Sequence, residues 1–87
     1  MAAELVIKAF LNKKNKNQNN TMSDGNRLYL HDNCIAEWRN DEIWITNAGW
    51  QTNVTKDRLN QLGANIYQRN FEWYFNNKVW DGNWVKL

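Results

Sequence analysis

Three short apolar segments, at 28–31, 34–38 and 42–46, follow one another along the chain. The polar pairs Asp32-Asn33 and Asn40-Asp41 separate these segments. Asn and Asp tolerate the positive φ angles that two-residue hairpin turns require. The pattern therefore predicts three antiparallel strands that are joined by tight turns.

Two-residue turns at these positions divide the side chains of the three strands between two faces. One face is expected to point into the core, and it collects Tyr29, Cys34, Ala36, Trp38, Ile43 and Ile45. The other face mixes polar and apolar residues, and its apolar members are Leu28, Leu30, Ile35 and Trp44. Contiguous apolar patches that stay exposed mark interaction sites. If nothing covers this mixed face, we interpret it as a partner surface, with a homodimer as one alternative.

A helix is predicted over about 54–62, since Thr52 or Asn53 can cap its start and Gly63 suits its end. Its apolar stripe would consist of Val54, Leu59 and Leu62.

Further strands are predicted at 65–68, 71–75 and 79–87, with turns at 69–70, 76–77 and 81–82. Their register places one apolar set on a single face: Ile66, Phe71, Trp73, Phe75 and Trp80.

The N-terminal part contrasts with the rest of the chain. Residues 3–11 suit a helix or a strand, and we favour a helix. Residues 12–20 include no apolar residue, which is typical of a flexible arm. We therefore divide the chain into an N-terminal element with a polar arm, 1–23, and a single α+β domain, 24–87. The expected fold is an antiparallel β-meander with one helix and a C-terminal β-hairpin.

Length and cysteine content restrict the class of protein. The 87 residues suit one domain. Because Cys34 is the single cysteine, no intramolecular disulfide forms, and we expect a reducing compartment such as the cytoplasm. The apolar stretch from Leu5 to Leu11 is interrupted by Lys8 and is too short to span a bilayer. The start of the chain lacks the basic residues of a secretory signal. We expect a soluble protein without a membrane partner.

Candidate catalytic chemistry is sparse in this sequence. The predicted hairpin would make His31 and Cys34 a cross-strand pair, with β-carbons about 5 Å apart. A metal site needs at least one more ligand, and nucleophilic catalysis needs an orienting group and an oxyanion hole. The sequence indicates none of these and includes no glycine-rich phosphate loop. We expect a protein that is not an enzyme, with no metal and no cofactor.

Tryptophan is unusually abundant, with six in the chain, and the net charge is +2. The predicted pairing buries Trp38, Trp73 and Trp80, whereas Trp44, Trp50 and Trp84 have no assigned place in a core. Exposed aromatic rings among basic residues suit single-stranded nucleic acid, because bases stack on the rings while cations contact phosphates. The candidate contact set is Trp44, Trp50, Lys56 and Arg58. Two alternatives stay open, since these rings could instead complete the core or form a protein-binding patch.

The segments 28–36, 44–62 and 73–84 resemble a family of small proteins that tailed bacteriophages encode and for which no activity is established. The resemblance implies a phage gene that is expressed in the cytoplasm of a bacterial host. It implies no catalytic or binding residues, and the N-terminal arm lies outside it. The function we expect is a phage accessory protein that binds nucleic acid. The alternatives are a protein that binds and inhibits a host protein, and a minor virion component.

Overall fold

The structure, a computed structural model, describes residues 3–87 as two helices and nine strands. The elements in chain order are α1 (Glu4–Leu11), β1 (Asn15–Gln18), β2 (Thr21–Asp24), β3 (Arg27–Leu30), β4 (Asn33–Arg39), β5 (Glu42–Ile45), α2 (Asn53–Gln61), β6 (Ile66–Arg69), β7 (Glu72–Phe75), β8 (Lys78–Val79) and β9 (Val85–Lys86). The strands form a six-stranded sheet, β1-β2-β3-β4-β5-β9, and a three-stranded sheet, β6-β7-β8. All pairings are antiparallel, which confirms the predicted α+β class and the meander.

Four hairpins turn through residue pairs in which both φ angles are positive, as in type I′ turns. These pairs are His31-Asp32, Asn40-Asp41, Asn70-Phe71 and Asn76-Asn77. The predictions at 40–41 and 76–77 are confirmed. The first turn lies one residue before the predicted 32–33, and the third lies one residue after the predicted 69–70.

The displaced first turn changes the register between β3 and β4. Tyr29 pairs with Cys34, and a bulge follows, so that Leu28 pairs with Ala36. Because a bulge breaks the alternation of side chains, the consecutive residues Ile35 and Ala36 are both buried.

The prediction of an exposed apolar face for homodimer contact was therefore wrong, because three of its four residues are buried. Leu28, Leu30 and Ile35 are buried in the hydrophobic core. Trp44 lies in β5 between Ile43 and Ile45, both of which contact the core, so it belongs to the opposite face. The predicted pairing of β4 with β5, in contrast, is observed residue for residue.

The core joins both helices to both sheets. Its buried members are Val6, Ile7, Phe10, Leu28, Leu30, Ile35, Ala36, Ile45, Leu59, Leu62, Ile66, Trp73, Phe75 and Trp80. The favoured helix at 3–11 is confirmed as α1, which contributes the first three of these side chains. Thr52 caps α2 as predicted, because its hydroxyl accepts a hydrogen bond from the Thr55 N–H. Val54, predicted to lie in the apolar stripe of this helix, is 39% exposed instead.

The polar run predicted to be a flexible arm includes the edge strand β1. Its backbone pairs with β2 over four residue pairs, so backbone hydrogen bonds order a segment that has no apolar side chain. Lys13, just before β1, forms an ion pair with Asp41 (2.6 Å) and lies 4.7 Å from the centre of the Trp38 ring. The polar side chains of β1 suit an exposed sheet edge, where they discourage pairing with other chains.

The connection from β8 to β9 does not form the hairpin predicted at Asp81-Gly82. Instead, this segment runs against the end of β5, where the Gly82 carbonyl accepts hydrogen bonds from the Asn47 N–H and the Thr46 hydroxyl. The chain then enters β9, which pairs with β5. The C-terminal segment thereby attaches one sheet to the other.

Candidate functional site

Arg58, one of the four residues of the predicted contact set, is not available to a ligand. It lies on α2 and is 6% exposed. Its guanidinium forms an ion pair with Asp57, and Nε donates a hydrogen bond to the Thr21 hydroxyl at 3.1 Å. The hydrogen bond to Thr21 connects α2 to β2, so we assign Arg58 to the structure of the fold rather than to a binding surface.

Trp44 belongs to an aromatic and cationic stack on the outer face of the larger sheet. The Arg39 guanidinium lies 4.7 Å from the Trp44 ring centre and 4.8 Å from that of Trp84. Glu37 pairs with Arg39, and Lys86 on the next strand pairs with Glu42 (2.9 Å). Glu37 also pairs with Arg27 (3.5 Å), so three cations share two carboxylates on this face. These carboxylates weaken the attraction of the face for phosphate.

Trp50 and Lys56 remain as the accessible members of the predicted set. Trp50 follows a tight turn in which Ala48 and Gly49 have positive φ, and its N–H donates to the Asn47 carbonyl at 2.8 Å. Its side chain is 57% exposed. Lys56 is partly exposed on α2, with Nζ 5.9 Å from the centre of the Trp73 ring.

Trp50 stands at the mouth of a concave site, which we call the Trp50 cleft. The cleft has a volume of about 370 Å³ and is lined by Leu30, His31, Asn33, Ile35, Trp50, Thr52, Val54 and Thr55. Leu30, Ile35 and Thr55 are buried and form its floor, whereas Trp50 and Val54 are exposed at its rim. The lining is mainly apolar, as in sites that take up hydrophobic groups.

Four parts of the chain meet to form the Trp50 cleft. The end of β3 and the start of β4 supply Leu30 and Ile35 of the floor. The loop after β5 supplies Trp50, and the first turn of α2 supplies Val54 and Thr55. Trp50 was predicted as a contact residue, whereas its neighbours Leu30, Ile35 and Val54 were not. Their meeting depends on the bulge at Ile35 and on the packing of α2 against β4, for which the sequence carries no local signal.

A second, larger groove lies between α1 and α2, with a volume of about 480 Å³. Four of its six lining residues are charged or polar, namely Glu4, Lys8, Asp57 and Gln61, and the other two are Ile7 and Leu11. Because these charged and polar side chains surround it, this groove is less suited to an apolar group than the Trp50 cleft.

The structure separates the two residues considered for nucleophilic chemistry. Cys34 pairs across the hairpin with Tyr29, whereas His31 lies in the turn, so the predicted cross-strand pair was wrong. His31 Nε2 lies 3.5 Å from the Asn20 side-chain nitrogen, and Cys34 Sγ donates to the Ala36 carbonyl at 3.4 Å. Burial raises the pKa of the Cys34 thiol. A raised thiol pKa disfavours the nucleophilic thiolate.

This pKa shift predicts slow alkylation of Cys34. In the folded protein at pH 8, we expect iodoacetamide to react several-fold more slowly than in the chain unfolded by urea, since only the thiolate reacts. Because the folded pKa is raised, the reaction should accelerate with pH through a higher midpoint in the folded state than in the unfolded state. Mass spectrometry of timed samples measures both rates. Equal rates at every pH would contradict the prediction.

Neither a metal site nor a membrane span is found in the part of the chain that the structure describes. Across residues 3–87, no three His, Cys, Asp or Glu side chains converge as metal ligands would. Over the same range, no helix has the length and apolar character needed to cross a membrane.

Comparison with models of known protein families gives a match. The model of the family described as Kyanoviridae Gp96 protein matches residues 2–86, which is almost the whole chain. No curated protein and no solved structure matches the chain significantly.

Proposed function

The chain belongs to the Kyanoviridae Gp96 protein family, a family of bacteriophage proteins, and from this premise we propose that it is a non-catalytic accessory protein that binds a protein partner. The Trp50 cleft receives an aromatic side chain of that partner, and binding takes place in the host cytoplasm. The observation that carries the proposal is the cleft itself, an apolar concavity whose exposed rim includes a tryptophan.

The chemistry of the cleft favours an aromatic side chain as its occupant. Trp50 offers a flat face for ring stacking, and such aromatic pairs add about 1 kcal/mol beyond the area that they bury. Leu30, Ile35 and Val54 offer aliphatic contacts. Tryptophan is also among the residues that most often dominate the energy of protein–protein contacts.

Single-stranded nucleic acid is the second candidate, and two observations favour it. Trp50 is exposed enough to stack on a base, and Lys56 lies one helical turn beyond the cap of α2. The burial of Arg58 removes one residue of the predicted contact set, and Trp44 is partly covered by the Arg39 guanidinium. Protein binding is therefore the function that we place first.

The first test uses a small probe, N-acetyl-L-phenylalaninamide, and observes the tryptophan indole N–H signals by NMR. We expect the Trp50 signal, assigned through Trp50→Phe, to shift saturably with a dissociation constant of roughly 1 mM. Val54→Glu should abolish the shift, because it places a carboxylate at the mouth of the cleft. This variant keeps the fold, since an acidic residue in the first turn of α2 is favourable.

A matched control variant tests whether the effect of Val54→Glu is specific to the Trp50 cleft. Val79→Glu introduces the same change at another exposed valine, outside the cleft, and should leave the shift unaltered. A Trp50 signal that never moves with the probe would refute the aromatic cleft. A short oligonucleotide that shifts Trp50 saturably, less so at higher salt, would transfer the function to nucleic-acid binding.

A further inference from the structure

Phe71 is the most exposed large apolar side chain that the structure describes, at 93%. It occupies the second central position of the turn between β6 and β7, with φ at 67°. A bulky residue is a genuine outlier in this region, where glycine is the usual choice. Phe71 therefore combines two unfavourable features at one position, a strained backbone and an aromatic ring in water.

Neither feature of Phe71 helps the hairpin that carries it. The strands are already held by four residue pairs from Ile66–Phe75 to Arg69–Glu72. Asn70 is well suited to the first turn position, and a glycine after it would complete the most favoured two-residue turn. Contacts within the fold thus leave the Phe71 ring unexplained, whereas a contact with another molecule explains it.

The same chain carries a cavity that suits this ring. An apolar cavity of about 150 Å³ is enough to hold benzene. The Trp50 cleft, at about 370 Å³, has room for a phenyl ring together with part of the turn that presents it. Its floor is aliphatic, and Trp50 at its rim offers the aromatic face that a phenylalanine ring prefers.

Charges near the two surfaces are also compatible. Arg69 lies two residues before Phe71 and is exposed. Asp32, also exposed, lies in the β3–β4 turn, next to His31 and Asn33 of the cleft lining. An approach that inserts Phe71 into the cleft of another copy can bring these opposite charges together at the rim of the contact.

We propose that the protein associates with itself, with Phe71 of one copy inserted into the Trp50 cleft of a second copy. The inference rests on the proposed function of the cleft and names its partner. Because Phe71 and the Trp50 cleft are different surfaces, the contact is head-to-tail, and repetition of it closes into a ring or extends into a chain.

The test measures mass in solution by analytical ultracentrifugation of the full chain over a range of concentrations. The wild-type protein should form species above the monomer mass as concentration rises. Phe71→Gly and Val54→Glu should each raise the dissociation constant by about 10-fold or more, as loss of a dominant contact does. Phe71→Gly should also raise the Tm by roughly 5 °C, because glycine removes the strain. Weakened association therefore cannot reflect unfolding.

A mixture of the two variants separates this proposal from other modes of association. Phe71→Gly keeps an intact Trp50 cleft, and Val54→Glu keeps Phe71. Together the two variants should form a heterodimer that grows no further. Val79→Glu should associate like the wild type. A wild-type protein that stays monomeric at a concentration of about 1 mM would overturn the proposal. Unchanged association of Phe71→Gly would also overturn it.

The probe titration distinguishes the failure of this inference from the failure of the proposed function. If the Trp50 cleft binds N-acetyl-L-phenylalaninamide but the protein stays monomeric, self-association is refuted. The cleft is then a site for another partner. A cleft that binds no probe, in a protein that stays monomeric, refutes both.

Discussion

Replacement of Gly82 by alanine is expected to lower the free energy of unfolding by about 3 kcal/mol, a large part of the ~5–15 kcal/mol of a small domain. Gly82 has φ at +88°, where a residue with a Cβ costs about 1 kcal/mol. A Cβ at this position would also lie 2.2 Å from Nδ2 of Asn47, far inside van der Waals contact. The larger part of the loss should come from this clash.

Asn47 cannot move aside without loss of hydrogen bonds. It is buried, its Oδ1 accepts a hydrogen bond from the Gly49 N–H at 2.8 Å, and its own N–H donates to the Gly82 carbonyl. The Thr46 hydroxyl donates to the same carbonyl. A shift of either segment therefore weakens the attachment between β5 and the C-terminal segment.

Gly49→Ala is the matched control for this clash. Gly49 has nearly the same φ, +84°, but an added Cβ would meet nothing within 4 Å. We expect a loss of about 1 kcal/mol for Gly49→Ala, which represents the backbone strain alone. Urea unfolding of the three proteins, followed by tryptophan fluorescence, measures the difference. Equal losses for the two variants would show that the approach of Asn47 to Gly82 is not what destabilises Gly82→Ala.

The parts of the fold that sequence analysis predicted correctly depend on local chemistry. Asn40-Asp41 and Asn76-Asn77 formed the predicted turns because their side chains tolerate positive φ. The Thr52 cap of α2 follows from the preference of a hydroxyl for helix N–H groups. Because the β4–β5 turn was predicted at the correct residues, the predicted pairing of β4 with β5 was also correct.

The errors arose where long-range packing overrules local chemistry. The turn at His31-Asp32 lies one residue from the expected place, and such a slip moves every side chain of a strand to the other face. The bulge at Ile35 then restores the expected face for Ala36 and Trp38. Residue types do not predict the displaced turn or the bulge, because both depend on how Leu28 and Ile35 pack in the core.

Prediction of the candidate site was incomplete for a related reason: of the four residues in the predicted contact set, Trp50 alone lines the Trp50 cleft. Trp50 was recognised because it follows a loop and fits neither predicted face. Arg58 was assigned to the contact set because it is a basic residue that follows Trp50 closely in the sequence. Its partners, Thr21 and Asp57, include a residue 37 positions away, which only the tertiary structure brings close.

Arg58→Ala is expected to lower the free energy of unfolding by about 3 kcal/mol, whereas Arg58→Met should cost about 1 kcal/mol or less. The side chain packs between α2 and β2, so alanine removes the volume of the whole stem and leaves a cavity. Methionine keeps most of that volume, and a buried charge can often be replaced by an apolar group of similar size with little loss. The Thr21 hydroxyl keeps a partner in both variants, because it donates to the Asn20 side chain at 2.8 Å.

Thermal and urea unfolding of both variants measures these differences. Arg69→Ala serves as the control, because Arg69 is exposed and its replacement should change the free energy of unfolding very little. If Arg58→Met were as damaging as Arg58→Ala, the hydrogen bond to Thr21 and the ion pair to Asp57 would carry the stability rather than packing. Neither variant should change the NMR shift that the aromatic probe induces at Trp50, since Arg58 does not line the cleft. If Arg58→Met changed the probe-induced shift while the stability stayed the same, Arg58 would be a residue of the binding site despite its burial.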